Sequence, residues 1–191
     1  YSDCINFPLD RPCKYQKENG VVCPSCKKYV PVNKKAKQTR ILIVKLGAMG
    51  DVLRTTFILE GLKEKYKNST IDWLVDKKNV DVLVGNKYID IIIPNDNKVF
   101  EFLSSTKYDI VINLDLSPES LSFTKLVFAD KIIGYCLDKS RKIVGSNEYA
   151  RKWLPASAYD DLKKENEHTY QYWMANICEL KRDNYEIVIP I

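Results

Sequence analysis

The chain has 191 residues, 45% of them hydrophobic, and carries 30 Lys/Arg against 25 Asp/Glu for a net charge of +5. That is the balance of one globular domain with an appendage, and no apolar run approaches the ~18–20 residues needed to span a bilayer. The charge is uneven: residues 1–40 hold nine Lys/Arg and three Asp/Glu, a net of +6, while residues 41–191 hold 21 and 22, a net of −1.

Residues 1–33 are rich in Cys, Pro and Lys, and Pro8, Pro12, Pro24 and Pro31 are expected to exclude helix there. Four of the six cysteines lie in this leader, spaced Cys4-x8-Cys13-x9-Cys23-x2-Cys26. Cys23-Pro-Ser-Cys26 is a knuckle from which two thiolates can reach one ion. Four thiolates suit tetrahedral Zn²⁺ in a structural role, because four protein ligands leave no open position for catalysis. A 4Fe–4S iron–sulfur cluster and two disulfides are the alternatives. Cys136 and Cys178 read as ordinary buried thiols. Residues 34–40, within "NKKAKQTR", form a basic linker, either simply solvated or drawn to an anionic surface.

From residue 41 the pattern is that of alternating strands and helices. "ILIVKL" (41–46) is a β-branched apolar run of the kind buried on both faces of a sheet. A helix is expected over 51–66, a strand over 71–75, a short helix over 78–86 and a strand over 89–93 stopped by Pro94. A helix over 98–105 and a strand over 109–114 follow. Next comes a helix over 117–129 with Ser117 as N-cap and Pro118 at the first helical position, then a strand over 131–135. Strands alternating with helices define an α/β fold, a doubly wound parallel sheet with right-handed crossovers. After Gly145 the signal weakens: residues 160–180 read as one long helix, and "YEIVIPI" as an extended piece. Domain boundaries follow as 1–33, 34–40, 41–155 and 156–191, the last leading toward a further domain. The start at Tyr1 and the abrupt end read as a piece of a longer chain.

The functional signal is "KLGAMGDVLRTT" (45–56), where the first strand turns into a helix. Ligands of open α/β sheets sit outside the carboxyl ends of the strands, and Gly47, Ala48 and Gly50 allow close approach. The run lacks both the G-x-G-x-x-G dinucleotide fingerprint and the Gly-Lys-Ser/Thr of a phosphate loop. A carboxylate at this place, Asp51, would repel a phosphate set directly on it but can serve as a base or accept a hydroxyl. The competing reading makes Asp51 only an N-cap or first-turn residue, bonding to backbone N–H groups. His168, the lone histidine, is read as surface or packing, and the "NST" sequon (68–70) as accidental.

"ILIVKLGAMGDVLRTTFILEGLKEKYKNSTIDWLV", followed by "NKYIDIIIP" and "YDIVINLDLS", resembles the N-terminal domain of family 9 glycosyltransferases, the ADP-heptose:lipopolysaccharide heptosyltransferases. The likeness is good over roughly 40–135 and loose beyond. It implies a two-domain GT-B architecture whose Rossmann-like N-terminal half binds the acceptor and whose C-terminal half binds the nucleotide-sugar donor, with inverting, metal-free catalysis. The resemblance places the general base at Asp51. It sets Gly47, Ala48, Met49 and Gly50 at the floor between domains, and Lys45, Arg54, Thr55 and Thr56 near an anionic acceptor. Phe57 departs from the family's usual proline, and the donor half does not follow within these residues, so the piece alone is expected to be inactive. The Cys-rich leader is similar to one that precedes some family 9 domains. The implied partners are a nucleotide sugar and a glycolipid or oligosaccharide acceptor of lipopolysaccharide type. The implied location is the cytoplasm, with peripheral contact at the inner membrane. The competing function is a metal-stabilised nucleic-acid- or anion-binding module on a Rossmann-like scaffold. The absence of a basic helix to enter a groove argues against nucleic acid.

Overall fold

A computed structural model describes residues 4, 6–8, 11–31 and 38–189; the basic run at 34–37, within the expected linker, lies outside the described residues. The chain divides into two compact units, Tyr1–Gln38 and Thr39–Ile191.

In the first unit a short helix, α1 (Lys14–Asn19), forms between Pro12 and Pro24 despite the prolines around it. Gly20 ends it in the left-handed region (φ 62°), returning its N–H to the Gln16 carbonyl at 2.8 Å. Cys23–Ser25 make a 3₁₀ turn closed by Cys26 N–H to the Cys23 carbonyl at 3.1 Å. Cys4 pairs with Pro31 in an isolated antiparallel bridge, and the Cys4 sulfur accepts the Val30 N–H at 3.5 Å.

The second unit is built on one six-stranded sheet. In chain order its elements are β1 (Thr39–Val44), α2 (Met49–Thr55), α3 (Ile58–Lys65), β2 (Ser69–Asp76), a 3₁₀ segment (Lys77–Val82), β3 (Ile91–Asn95) and α4 (Val99–Ser105). There follow β4 (Lys107–Asn113), α5 (Pro118–Leu126), β5 (Phe128–Leu137), β6 (Ile143–Gly145), α6 (Glu148–Ala158), α7 (Asp160–Lys164) and α8 (Tyr170–Ile177). The strand order is β3-β2-β1-β4-β5-β6, parallel except for β6. The doubly wound α/β expectation holds, and the order reverses between β1 and β4, the switch point at which such sheets take ligands.

The apolar run of β1 buries side chains on both faces, as its continuous hydrophobicity demands. Ile41 and Ile43 join one core cluster, with Trp73, Ile112, Leu59 and Ile177; Leu42 and Val44 join the other, with Leu74, Val111, Phe123 and Leu103. Successive residues of a strand point to opposite faces, so one six-residue strand stitches two cores.

Several boundaries differ from the sequence expectation, each for a local reason. The helix expected over 51–66 is two helices. The Thr55 hydroxyl donates to the Asp51 carbonyl at 2.6 Å and the Thr56 hydroxyl to the Leu53 carbonyl at 2.7 Å. Threonines bonded back to the preceding turn bend helices, and the Val188 N–H donates to Thr56 Oγ1 at 3.0 Å, seating the C-terminal stretch at the break. Pro94 does not stop β3: it lies inside the strand, opposite Val75. A proline is tolerated because β3 is a sheet edge. The expected helix at 78–86 is a 3₁₀ segment ending at Val82. Ser117 does cap α5, accepting the Ser120 N–H at 3.1 Å, but the helix stops at Leu126 and β5 begins at Phe128. The long helix expected over 160–180 is α7 and α8, because Thr169 starts a new cap by accepting the Tyr172 N–H at 3.1 Å. Within 156–189, Met174, Ala175, Ile177 and Tyr185 belong to the first core cluster. Among the described residues no helix is long and apolar enough to cross a membrane.

Candidate active site

Two strand ends meet at the switch point. β1 runs out into Lys45, Leu46 and Gly47, and β4 into Leu114 and Asp115. The Asp115 carboxylate accepts the Leu46 N–H at 3.2 Å and the Gly47 N–H at 2.9 Å, and its other oxygen accepts the Ser117 N–H at 3.1 Å. Buried Asn79 donates to the carbonyls of Leu46 (3.0 Å) and Gly47 (2.7 Å), and the Trp73 indole to that of Lys45 (3.3 Å). The turn after β1 is therefore held through donors and acceptors at once. Gly47 sits in a tight place: a Cβ there would lie 3.1 Å from Lys45 Nζ and 3.2 Å from Asp115 Oδ2, so those two side-chain ends would have to give by a few tenths of an ångström.

Lys45 and Asp115 face each other at 3.8 Å with both side chains largely buried. Burial alone would raise the Asp115 pKa. The Lys45 charge and the N–H groups of Gly47, Ser117 and Leu116 outweigh burial and hold the carboxyl below its ordinary value.

Asp51 is the third residue of α2. The cap position is Ala48, which makes no side-chain cap bond. The Asp51 carboxylate turns instead to Arg54, at 2.9 Å, with both side chains partly exposed. The Arg54 guanidinium lies 3.8 Å from the centre of the Tyr170 ring, and the Tyr170 hydroxyl bonds Thr55 Oγ1 at 2.7 Å. Burial pushes the Tyr170 phenol up to about 12, against the Thr55 bond and the Arg54 charge, which lower it.

These groups border a cleft of about 380 Å³. Lys45, Asp51, Arg54 and Asp115 line it from the β1 and β4 side. Tyr135 of β5, Trp153 and Ser157 of α6, Lys163 of α7, and Tyr170 and Met174 of α8 line the rest. Trp153 packs against Tyr170 (6.3 Å between ring centres) and Trp173 (5.5 Å), giving the cleft an aromatic wall. Three cations and two carboxylates thus share a pocket with a partly apolar lining, the composition of a site for a polar, anion-bearing ligand.

Of the residues singled out from sequence, Asp51, Arg54 and Lys45 come together here, Lys45 as a buried partner of Asp115. Gly47 shapes the turn, and Ala48, Met49 and Gly50 are exposed next to it. Thr55 and Thr56 are fully buried, with hydroxyls engaged inside the chain, and do not line the cleft. The sequence reading missed the wall from β5 to α8; its only advance signs were Gly134–Tyr135 in a predicted strand and the aromatic density of "TYQYWM". His168 is exposed and stacks on Tyr172 at 3.9 Å, outside the cleft. Cys178 is buried and Cys136 half-buried.

The leader offers the right donors for a metal but does not assemble them. Cys4, Cys13, Cys23 and Cys26 form no disulfide, and among the described residues no three metal-ligating side chains are grouped.

A doubly wound sheet with a charged cleft at its switch point defines a class of ligand-binding α/β fold. Within that class, the chain has the fold of part of known glycosyltransferase structures. It matches a glycosyl transferase family 9 structure from Veillonella parvula with a TM-score of 0.55 at 21% identity, over 80% of this chain and 45% of that one. It matches the E. coli heptosyltransferase WaaC, solved with ADP-2-deoxy-2-fluoro heptose, with a TM-score of 0.50 at 18% identity, over 78% of this chain and 51% of that one. The chain thus spans about half the length of these structures. The sequence matches no protein-family model and no curated protein.

Proposed function

We propose that the chain is the acceptor-binding portion of an inverting glycosyltransferase that moves heptose, or a related sugar, from a nucleotide sugar to a lipopolysaccharide-type acceptor. The observation that carries this is Asp51, which lies on the switch-point cleft without being a helix cap. Its carboxylate accepts the proton of the acceptor hydroxyl as that oxygen attacks the anomeric carbon. The bond from that carbon to the nucleotide diphosphate breaks, and the diphosphate leaves with the electron pair. Arg54 and Lys163 meet an anionic group on the acceptor. Arg54 also pairs with Asp51, so an acceptor phosphate that attracts the guanidinium frees the base. The donor is held by residues outside this chain, as in the two-domain architecture the sequence resembles. The basic leader favours an anionic membrane face, where such an acceptor sits.

The test incubates the longest polypeptide encoded in frame with this chain with ADP-heptose and other nucleotide sugars plus a lipid A-core acceptor, reading the acceptor by mass spectrometry. Asp51→Asn is expected to lower turnover by about 10²-fold or more with circular dichroism unchanged. Transfer that survives the substitution removes Asp51 as base. No transfer with any donor, together with salt-dependent binding to generic DNA or RNA, moves the reading to a nucleic-acid module.

For the leader, we infer a structural Zn²⁺ held by Cys4, Cys13, Cys23 and Cys26. The knuckle turn at Cys23–Cys26 and the sulfur-accepting bridge at Cys4 support it. Because the thiols are not grouped in the free chain, binding has to draw them together. Titration with Co²⁺ is expected to give the thiolate charge-transfer band of a tetrahedral site and a change in the leader's amide NMR signals. Cys23→Ser abolishes both, and a chain that binds no Co²⁺ or Zn²⁺ overturns the assignment.

A further inference from the structure

Tyr135 is the residue of the cleft that its own structure leaves unfinished. The residue is 1% exposed, it lines the cleft, and its hydroxyl has no hydrogen-bond partner among the described residues. Buried hydroxyls are nearly always bonded, because an unmet one forfeits its hydration for nothing.

The placement is built by the backbone around it. Gly134 has φ +89°, inside a strand, where a Cβ would run into the Asn113 backbone carbonyl. Its N–H donates to Ser146 Oγ at 2.9 Å and its carbonyl accepts the Ser146 N–H at 2.8 Å. Asn113 Nδ2 holds the Tyr135 carbonyl at 3.1 Å. A glycine kink inside a strand, pinned on both sides, is a device for aiming the next side chain.

We infer that the Tyr135 hydroxyl is a specificity contact, completing its hydrogen bond with a sugar hydroxyl of the acceptor seated in the cleft. This rests on the acceptor-site reading above. A phenol that stays neutral, because burial raises its pKa, both donates and accepts, which matches a sugar hydroxyl. Lys45 and Asp115, also in the lining, pair with each other. Trp153 supplies an aromatic wall for the carbon face of a sugar ring. The hydroxyl is closed from solvent, and the unbranched side chain of Met174, also in the lining, can give way to a ligand.

The test compares the chain with Tyr135→Phe, which removes one oxygen and leaves the packing. Ligand-free thermal melts are read beside calorimetric titration with a deacylated, phosphorylated lipid A-core oligosaccharide. The variant is expected to melt no lower than wild type, since it loses an unmet polar group, and to bind the oligosaccharide about tenfold more weakly. Equal affinity in the two proteins overturns the inference while leaving the acceptor reading standing. A clear drop in the ligand-free melting temperature also overturns it, by showing that the hydroxyl has a structural partner. A wild-type chain that does not bind the oligosaccharide removes both readings.

Discussion

The two sides of the cleft are built by different means. The β1–β4 side is a knot of short-range polar bonds: one carboxylate, Asp115, holds two N–H groups of the neighbouring strand's turn, and one amide, Asn79, holds two of its carbonyls. The β5–α8 side is assembled from aromatic side chains of α6 and α8 packed beside Tyr135, with few polar bonds among them. The first side fixes where a reacting group sits. The second sets the shape and width of what can reach it. Division of this kind separates positioning from recognition, so substitutions on the two sides should fail differently.

The largest expected effect falls on the polar side. Asp115→Ala removes the partner of a buried lysine and three N–H acceptor bonds, and is expected to cost about 3 kcal/mol, the lower end for breaking a buried pair from one side. Much of that cost is the stranded Lys45 charge, so adding Lys45→Met should recover part of it. The pH dependence has a definite sign. The folded-state pKa of Asp115 is held below its unfolded value. Its contribution to stability is therefore fully present above the ordinary carboxylate range, about pH 4, and is lost as pH falls through the lower folded value. Urea melts between pH 6 and pH 2.5 should show wild type losing stability on the acid side more steeply than Asp115→Ala. Parallel acid limbs in the two proteins would mean that the carboxylate does not hold the turn.

The same division decides what could be read from the sequence. Strand β1 and its glycine turn announce themselves, because a continuous β-branched run followed by Gly-Ala-Met-Gly-Asp has few folded solutions. Ser117–Pro118 likewise marks a helix start through chemistry confined to four residues. Asp115 follows the fourth strand, but its role depends on the turn 68 residues earlier, a pairing that no local pattern states. The break between α2 and α3 was hidden for a related reason: Thr55 and Thr56 fit a helix until their hydroxyls bond backward and Val188 arrives from the far end of the chain. Tyr135, Trp153, Lys163 and Tyr170 converge only once α6–α8 fold back on the sheet. Asn147 is one agent of that return. It caps α6 by accepting the Ala150 N–H at 2.9 Å, while its amide donates to the last carbonyls of α8, Asn176 and Ile177, at 3.1 Å each. An asparagine before a weakly periodic stretch does not reveal that it ties two helices together.

The smallest expected effect tests the aromatic side. Tyr170→Phe deletes the hydroxyl that bonds Thr55 Oγ1 and keeps the ring under Arg54. Thr55 keeps its bond to the Asp51 carbonyl, so neither partner is stranded, and the loss should be about 1 kcal/mol, the net worth of one neutral hydrogen bond. At this chain length that lowers the melting temperature by roughly 2–4 °C. The cation–π contact and the Asp51–Arg54 pair depend on the ring and not on its oxygen, so acceptor affinity should stay within about twofold of wild type. The comparison with Tyr135→Phe is then direct. Two tyrosines line one cleft; removing the bonded oxygen costs stability and spares binding, and removing the unbonded one spares stability and costs binding. If both substitutions lower stability and leave affinity alone, the aromatic wall is scaffold throughout, and recognition has to be sought on the polar side, at Arg54 and Lys163.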